Sequence, residues 1–399
     1  KKYPRKPADG LTVCLETPKL VCCGKIILST HRAIIRCSYT KQGEFVMLLL
    51  RSLLFMPGNQ ARMLEKGTRL FPDAYIPDME DSVPDAEKGN ARNVINNMLS
   101  DLAKGTQKII PRTNALDTGL IEEDLRAVVG PLIYGVSVGK FESSWEVEHV
   151  DNLIGNLESR VGIKVGTVKL IPWIETAKGI LNANEICKSS SRIVAVAFGA
   201  EDFTSDMEIE RTAEGNELAY PRSIVAIAAR ANSVLAVDAP YPNFRDSDGL
   251  LHEANLAKSV GFKGKFAIHP SQIEAINDLF SPSNDQIEYA RKVIAAFKEV
   301  EEQGRGATSI DGKMIDVPIV KRAQSLLALV ESLENLMTNF NKWTTKDKRL
   351  ERNVASLKAV LASKSTSTDL LLELKKYSIS YPHKDFGSVP GKFFKAFQQ

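Results

Sequence analysis

Beyond residue 40 the chain carries a single cysteine, Cys187. The other four, Cys14, Cys22, Cys23 and Cys37, crowd into the first forty residues at spacings that match no zinc pattern. The body therefore has nothing to cross-link, and a reducing compartment is favoured. Long apolar runs are also missing. Phe45 to Phe55 (FVMLLLRSLLF) contains Arg51 and falls short of the roughly 18 residues of a membrane span. Charge of one sign is scarce, with 52 Lys and Arg against 49 Asp and Glu over 399 residues. The two signs are interspersed through the middle of the chain, unlike the basic stripe of a nucleic-acid binder. No Gly-rich phosphate fingerprint follows an early strand, which argues against a dinucleotide-binding open sheet.

What the chain does have is a rhythm. From Arg51 onward, short apolar runs alternate with helix-length amphipathic segments. Strands are predicted at Arg51–Pro57, Asp73–Met79, Lys108–Arg112, Gly135–Phe141, Val168–Ile174, Ile193–Phe198, Ser233–Asp238 and Lys265–Ile268. Between them stand helix candidates such as Asp85–Ala103, Leu120–Val129, Ser144–Leu157, Glu217–Ala231 and Gly249–Val260. Eight such repeats over about 230 residues predict an α/β fold, a TIM (βα)8 barrel over 51–282. A doubly wound open sheet is the alternative.

The flanks read differently. A long helix is predicted over Ser283 to Gln303, then a flexible Gly-bracketed stretch (RGATSIDGKMIDVP), then a helix from Val320 to about Leu333. Together 283–333 reads as a C-terminal helical arm or lid. Residues 334–399 are rich in Lys, Ser and Thr and read as a basic helical or partly disordered tail, with amphipathic pieces VASLKAVLAS and TDLLLELKKY. The first fifty residues carry nine Lys and Arg against three acids. They read as a leader, either a mitochondrial presequence or a segment with no address, so a mitochondrial location is expected and a cytoplasmic one is the alternative.

Chemistry concentrates where the predicted strands end. The runs Thr167 to Thr176 (TVKLIPWIET) and Ile193 to Phe203 (IVAVAFGAEDF) turn acidic at Glu175 and Asp202. A helix-like segment, roughly Ala177 to Cys187, separates them, so both carboxylates are expected on the same rim of a parallel barrel. Two hard oxygen ligands with room for water and a chelating substrate suit Mg2+ better than zinc. The competing reading has Glu175 capping the next helix and Asp202 paired with a nearby base. Other strand ends carry Glu80 and Asp81, Arg112, Lys140 and Glu142, and His269. Arg112 offers a fork suited to a substrate carboxylate. Arg62 and Lys66 share one face of the first helix, where cations hold phosphates or merely face solvent.

Nine motifs appear in a specific order: RSLLFMPGN, MEDSVPDAEK, PRTN, KFES, PWIETAKGILN, FGAEDF, FRDSDGL, GKFAIHPSQI and GKMIDVPIVKRA. In that order they resemble the HpcH/HpaI aldolase and citrate lyase beta superfamily, and within it the citrate lyase beta-like proteins of mitochondria. The likeness covers roughly Arg51 to Leu333. It implies a Mg2+-dependent barrel, usually a homotrimer, that makes or breaks a carbon–carbon bond between a 2-oxo acid and acetyl-CoA. Cleavage of (3S)-citramalyl-CoA is the expected activity, with malyl-CoA lyase, malate synthase or a citryl-CoA lyase subunit as alternatives. A scaffold on an inactive barrel is the non-enzymatic alternative. The resemblance implies Glu175 and Asp202 as metal ligands and Arg112 as the grip on the oxo-acid carboxylate. It implies Phe55, Arg62, Lys66, Ile268 and His269 as contacts to the acyl-CoA. Asp316 falls on a catalytic acid delivered by a neighbouring subunit's arm, while Glu80 and Asp81 support the metal site. Lys140 and Glu142 lie beside it, and a Schiff base on Lys140 is a minor reading.

The chain departs from the family pattern at three places. Pro77 enters a buried strand that needs its backbone donor. Gly139 stands where a Pro is usual, and Phe55 where a Tyr is frequent.

Overall fold

The computed structural model describes residues 48–304 and 306–344, with two further two-residue strands, Ser38–Tyr39 and Phe45–Val46, paired antiparallel. The four leader cysteines, most of the expected leader and nearly all of the expected tail lie outside the described residues.

Eight parallel strands close into a barrel. They are β1 (Ser52–Pro57), β2 (Ala74–Asp78), β3 (two runs, Lys108–Ile109 and Arg112–Thr113), β4 (Gly135–Val138), β5 (Lys169–Ile174), β6 (Ala195–Phe198), β7 (Leu235–Asp238) and β8 (Gly264–Ala267). Closure is made by Lys265–Ala267 pairing with Ser52–Leu54, and by Leu53–Pro57 pairing with Ala74–Asp78. The surrounding helices are α1 (Ala61–Gly67), α2 (Lys88–Leu102), α3 (Ile121–Val128), α4 (Ser144–Arg160), α5 (Ala177–Leu181), α6 (Ala183–Lys188), α7 (Ala200–Asp206), α8 (Ala219–Ala231), α9 (Ser247–Val260) and α10 (Gln272–Phe280). Local chemistry sets several boundaries. Ser143 and Glu146 form a reciprocal capping box at α4, and Asp246 caps α9, which ends on Gly261 in the left-handed region.

The period-two alternation of each strand sorts its side chains into two cores. Leu53, Ala74, Ile76, Ile171, Trp173 and Phe266 fill the barrel interior. Leu54, Tyr75, Val136, Leu170, Ile174 and Phe198 face the helices.

Pro77 lies within β2 after all, buried and opposite Met56 of β1. Its flanking rungs toward β3 are intact: Ile110 N–H donates to Tyr75 O at 2.9 Å and Met79 N–H to Arg112 O at 2.9 Å. The rung between them is the one Pro77 cannot donate, and β3 is split there, between Ile109 and Arg112. Pro111, which also lacks a donor, stands inside that split, so two prolines coincide at this level of the wall.

Several expected elements change shape. The run ending at Asp202 is strand only through Phe198, and Asp202 sits in the first turn of α7. The single helix expected over Ala177 to Cys187 divides into α5 and α6 at Asn182. The stretch expected to be flexible is a hairpin, β9 (Thr308–Ile310) with β10 (Lys313–Ile315), turned at Asp311 (φ 49°) and Gly312 (φ 74°). Positive φ at both central residues is the tight-turn geometry that Asp-Gly favours. The hairpin packs with α11 (Asn284–Glu302) and α12 (Val317–Thr344) around a core of their own, including Val293, Phe297, Ile315 and Val320. The last helix is thus longer at both ends than the expected 320–333.

Candidate active site

Alternation explains why the polar groups gather where they do. On β2, Ala74 and Ile76 point inward, so Asp78 does too; on β5, Ile171 and Trp173 point inward, so Glu175 follows. These inward positions lie one layer above the apolar floor, at the C-terminal ends of the strands.

Arg112, at the end of β3, is the hub. Its Nε and one terminal nitrogen each donate to Asp78, both at 2.7 Å, in a two-pronged pair. The other terminal nitrogen donates to Asp81 at 2.8 Å and lies 3.1 Å from Glu80. The guanidinium sits over the Phe55 ring, 4.6 Å from its centroid, and Phe55 stacks on Phe266 at 5.2 Å. Phe55 thus lines the barrel mouth beneath Arg112, whereas Arg62 and Lys66 are exposed on α1. Burial works against the Arg112 charge, but Asp78, Glu80 and Asp81 outweigh it and hold the group above its ordinary range. Burial likewise favours protonated Asp78, and Arg112 overrides it, holding Asp78 low.

Glu80 and Asp81 follow β2 in a turn rather than ending it. Asp78 Oδ1 accepts from Glu80 N–H, and its Oδ2 from the Ser82 hydroxyl at 2.6 Å. Buried Lys88 of α2 donates to the carbonyls of Met79 and Glu80 at 3.0 and 2.8 Å. The acidic turn is therefore pinned from both sides.

Glu175 is buried, and its Oε1 accepts from Lys140 N–H at 2.8 Å. The helix after it is capped by Thr176, whose side chain accepts from Gly179 N–H, so Glu175 is not a cap. Asp202 forms no ion pair among the described residues, which removes the competing reading for it as well. Burial, then Asp202 and Glu80, push the Glu175 carboxyl up to about 8. Burial pushes Glu80 to about 7 despite Arg112, and burial and Asp81 raise Asp202.

Lys140 adopts a left-handed backbone (φ 59°). Partial burial opposes its charge, but Asp202, Glu80, Glu175 and Asp81 outweigh this and raise it, the wrong direction for an amine nucleophile. Glu142 is engaged elsewhere, accepting from the Thr176 hydroxyl at 2.9 Å and pairing with Lys178 at 3.0 Å.

At the end of β8, Ile268 is exposed, and the His269 ring stacks on Phe244 at 4.7 Å. His269 Nδ1 accepts from Ser271 N–H, and partial burial lowers its pKa. Asp316 stands at the junction of β10 and α12, where its carboxylate accepts from Ile319 N–H at 3.3 Å. The geometry thus gathers Glu80, Asp81, Arg112, Lys140, Glu175 and Asp202 and leaves Asp316, Glu142, Arg62 and Lys66 apart from their hydrogen bonds.

The rim carries five carboxylates (Asp78, Glu80, Asp81, Glu175, Asp202) against two cations, Arg112 and Lys140. That excess fits a hard divalent cation. Among the described residues no three His, Cys, Asp or Glu side chains converge tightly enough to hold a metal alone. A cation held here would have to complete its shell with water or substrate oxygen. Sequence reasoning passed over Asp78 and Lys88, although both stand in or beside the MEDSVPDAEK motif and the inward period of β2 picks out Asp78.

The HpcH/HpaI aldolase/citrate lyase family matches residues 51–270. Citrate lyase subunit beta of Haemophilus influenzae is 38% identical over 286 residues, 72% of this chain and 98% of that protein. Mitochondrial citramalyl-CoA lyase of Homo sapiens is 33% identical over 310 residues, 75% of this chain and 91% of that protein. Among solved structures, CitE of Mycobacterium tuberculosis in complex with magnesium, acetoacetate and coenzyme A is similar. It has a TM-score of 0.57 at 30% identity and covers 69% of this chain and 96% of its own.

Proposed function

This chain belongs to the HpcH/HpaI aldolase/citrate lyase family, and on that footing we propose that it cleaves (3S)-citramalyl-CoA to pyruvate and acetyl-CoA, reversibly. The observation that carries the reading is the uncompensated carboxylate cluster facing Arg112 at the barrel mouth. In this reading Glu175 and Asp202 hold Mg2+. Bound there, the ion would supply positive charge beside the substrate hydroxyl and carboxylate.

The chain's own groups do the rest. Arg112 orients the substrate carboxylate, exchanging Asp81 for it, while Asp78 keeps the guanidinium plane fixed. Glu80, poised near neutrality by burial, takes the hydroxyl proton. The carbon–carbon bond then breaks, its electron pair passing to the thioester as an enolate, and Asp316 delivers a proton to the acetyl carbon. A neighbouring subunit of a homotrimer supplies that Asp316. Arg62 and Lys66 hold the phosphates of the CoA, and Ile268 and His269 flank its arm. The leader directs the protein to mitochondria.

Citrate lyase beta subunits are as similar as citramalyl-CoA lyases, so citryl-CoA is the competing substrate. The test is a cleavage assay with citramalyl-, malyl- and citryl-CoA, each with Mg2+ and with chelator. Preferential turnover of citramalyl-CoA that chelator abolishes is expected. Preference for citryl- or malyl-CoA reassigns the substrate, and full activity in excess chelator removes the metal.

A further inference from the structure

Gly199 and Gly139 flank Glu175 from the two neighbouring strands. A Cβ built on Gly199 would lie 2.2 Å from Glu175 Oε2 and 2.5 Å from Glu175 Cβ, far inside contact distance. A Cβ on Gly139 would lie 3.0 Å from both Glu175 Oε1 and Glu80 Oε1. Register explains the first clash: Ile174 pairs with Phe198, so Glu175 and Gly199 are the next pair up. Backbone conformation does not explain either glycine. Gly199 has φ −100° and ψ 101°, which any residue adopts, and Gly139 is not among the positive-φ glycines. Space is the remaining reason.

We propose that Gly199 is a positioning residue: with Gly139 it forms a slot that aims the Glu175 carboxylate, and a side chain at 199 displaces it. The two walls are unequal. At 199 the obstacle is the root of the Glu175 side chain, which cannot swing away without leaving the layer. At 139 the obstacles are carboxylate tips, which yield by a few tenths of an ångström. Lys140 N–H then fixes the oxygen on the Gly139 side. This inference deepens the metal reading above and rests on it for what Glu175 holds, but the slot itself is a packing claim.

The experiment uses the full chain, with Mn2+ binding read by the loss of free-ion EPR signal and stability read by denaturant unfolding. Gly199→Ala is expected to weaken Mn2+ at least tenfold, and Gly139→Ala no more than a few-fold. In unfolding, Gly199→Ala destabilises the parent, and the loss largely disappears in the Glu175→Gly background, where both the clashing carboxylate and the Cβ are gone. Unchanged Mn2+ binding in Gly199→Ala, or an equal stability loss in both backgrounds, overturns the slot. Mn2+ binding that survives Glu175→Gln overturns the metal reading alone, and the stability cycle still decides the slot.

Discussion

Two buried clusters of acids on this barrel meet opposite fates. Outside β7 and β8, Asp238 and Glu253 are surrounded by cations. Lys265 donates to each at 2.6 Å, Arg222 grips Asp238 at 2.8 and 3.2 Å, and Arg211 reaches Glu253 at 2.7 Å. Burial favours a protonated Glu253, but Lys265, Arg222 and Arg211 overwhelm it and hold it down at about 2. Inside, at the mouth, Glu175 and Glu80 are pushed up to about 8 and about 7. Residue types and burial are alike, so the difference lies in the balance of charge. One cluster is complete and structural, while the other lacks positive charge, the imbalance that a bound cation would offset.

Neutral substitutions should act with opposite signs on the two clusters. Lys265→Met removes the buried cation shared by Asp238 and Glu253, leaving them to Arg222 and Arg211, and is expected to cost about 3–5 kcal/mol in denaturant unfolding. Glu175→Gln, by contrast, is expected to stabilise the metal-free protein while removing metal-dependent turnover by roughly 10²–10³-fold, the scale of one lost preorganised electrostatic group. Destabilisation by both would erase the distinction.

A pH series sharpens the comparison. The unfolded chain releases the Glu175 and Glu80 protons near pH 4.5, but the folded metal-free protein keeps them to about 8 and about 7. Fewer protons on the unfolded state mean that this part of the stability falls as pH rises through that window. Metal binding expels the Glu175 proton, so Mg2+ affinity measured by calorimetry should climb about tenfold per pH unit and level off above about 8. A flat profile from pH 5 to 8 would contradict the assignment. Glu253 makes no such contribution there, since its transition lies near 2.

The smallest expected effect is at Asp81, the exposed partner of Arg112. Asp81→Asn should lower the KM for the oxo acid in the condensation direction by a few-fold, because the substrate carboxylate no longer displaces a charge. A raised KM would make Asp81 a support rather than a placeholder.

The barrel was legible because its strands are apolar and its helices amphipathic, and these periods are local. Glu175, Asp202 and Arg112 were legible because each stands just beyond such a run. Asp78 was hidden by its neighbours Glu80 and Asp81, since an acidic turn draws the eye before the inward phase of β2 is counted. The hairpin at 308–315 was hidden because Gly, Ser and Asp signal both loops and tight turns, and only packing against α11 and α12 decides. The Gly199 slot is a contact between strands, and no one-dimensional pattern carries it.

The split in β3 marks a level of the barrel wall where backbone donors are missing. Lys108 and Ile109 are laced to Ala74 and Tyr75 below the gap, and Arg112 and Thr113 to Asp78, Ser137 and Val138 above it. Within the gap Ile110 N–H still donates to Tyr75 O and Ser137 N–H to Pro111 O, so what is missing is the donors of Pro77 and Pro111. The upper piece, with Arg112 on it, stays tied to β2 through Met79 N–H, which donates to Arg112 O, while the missing donors lie just below it. Pro77 and Pro111 thus withhold two backbone donors from one level of the barrel wall, directly beneath Arg112.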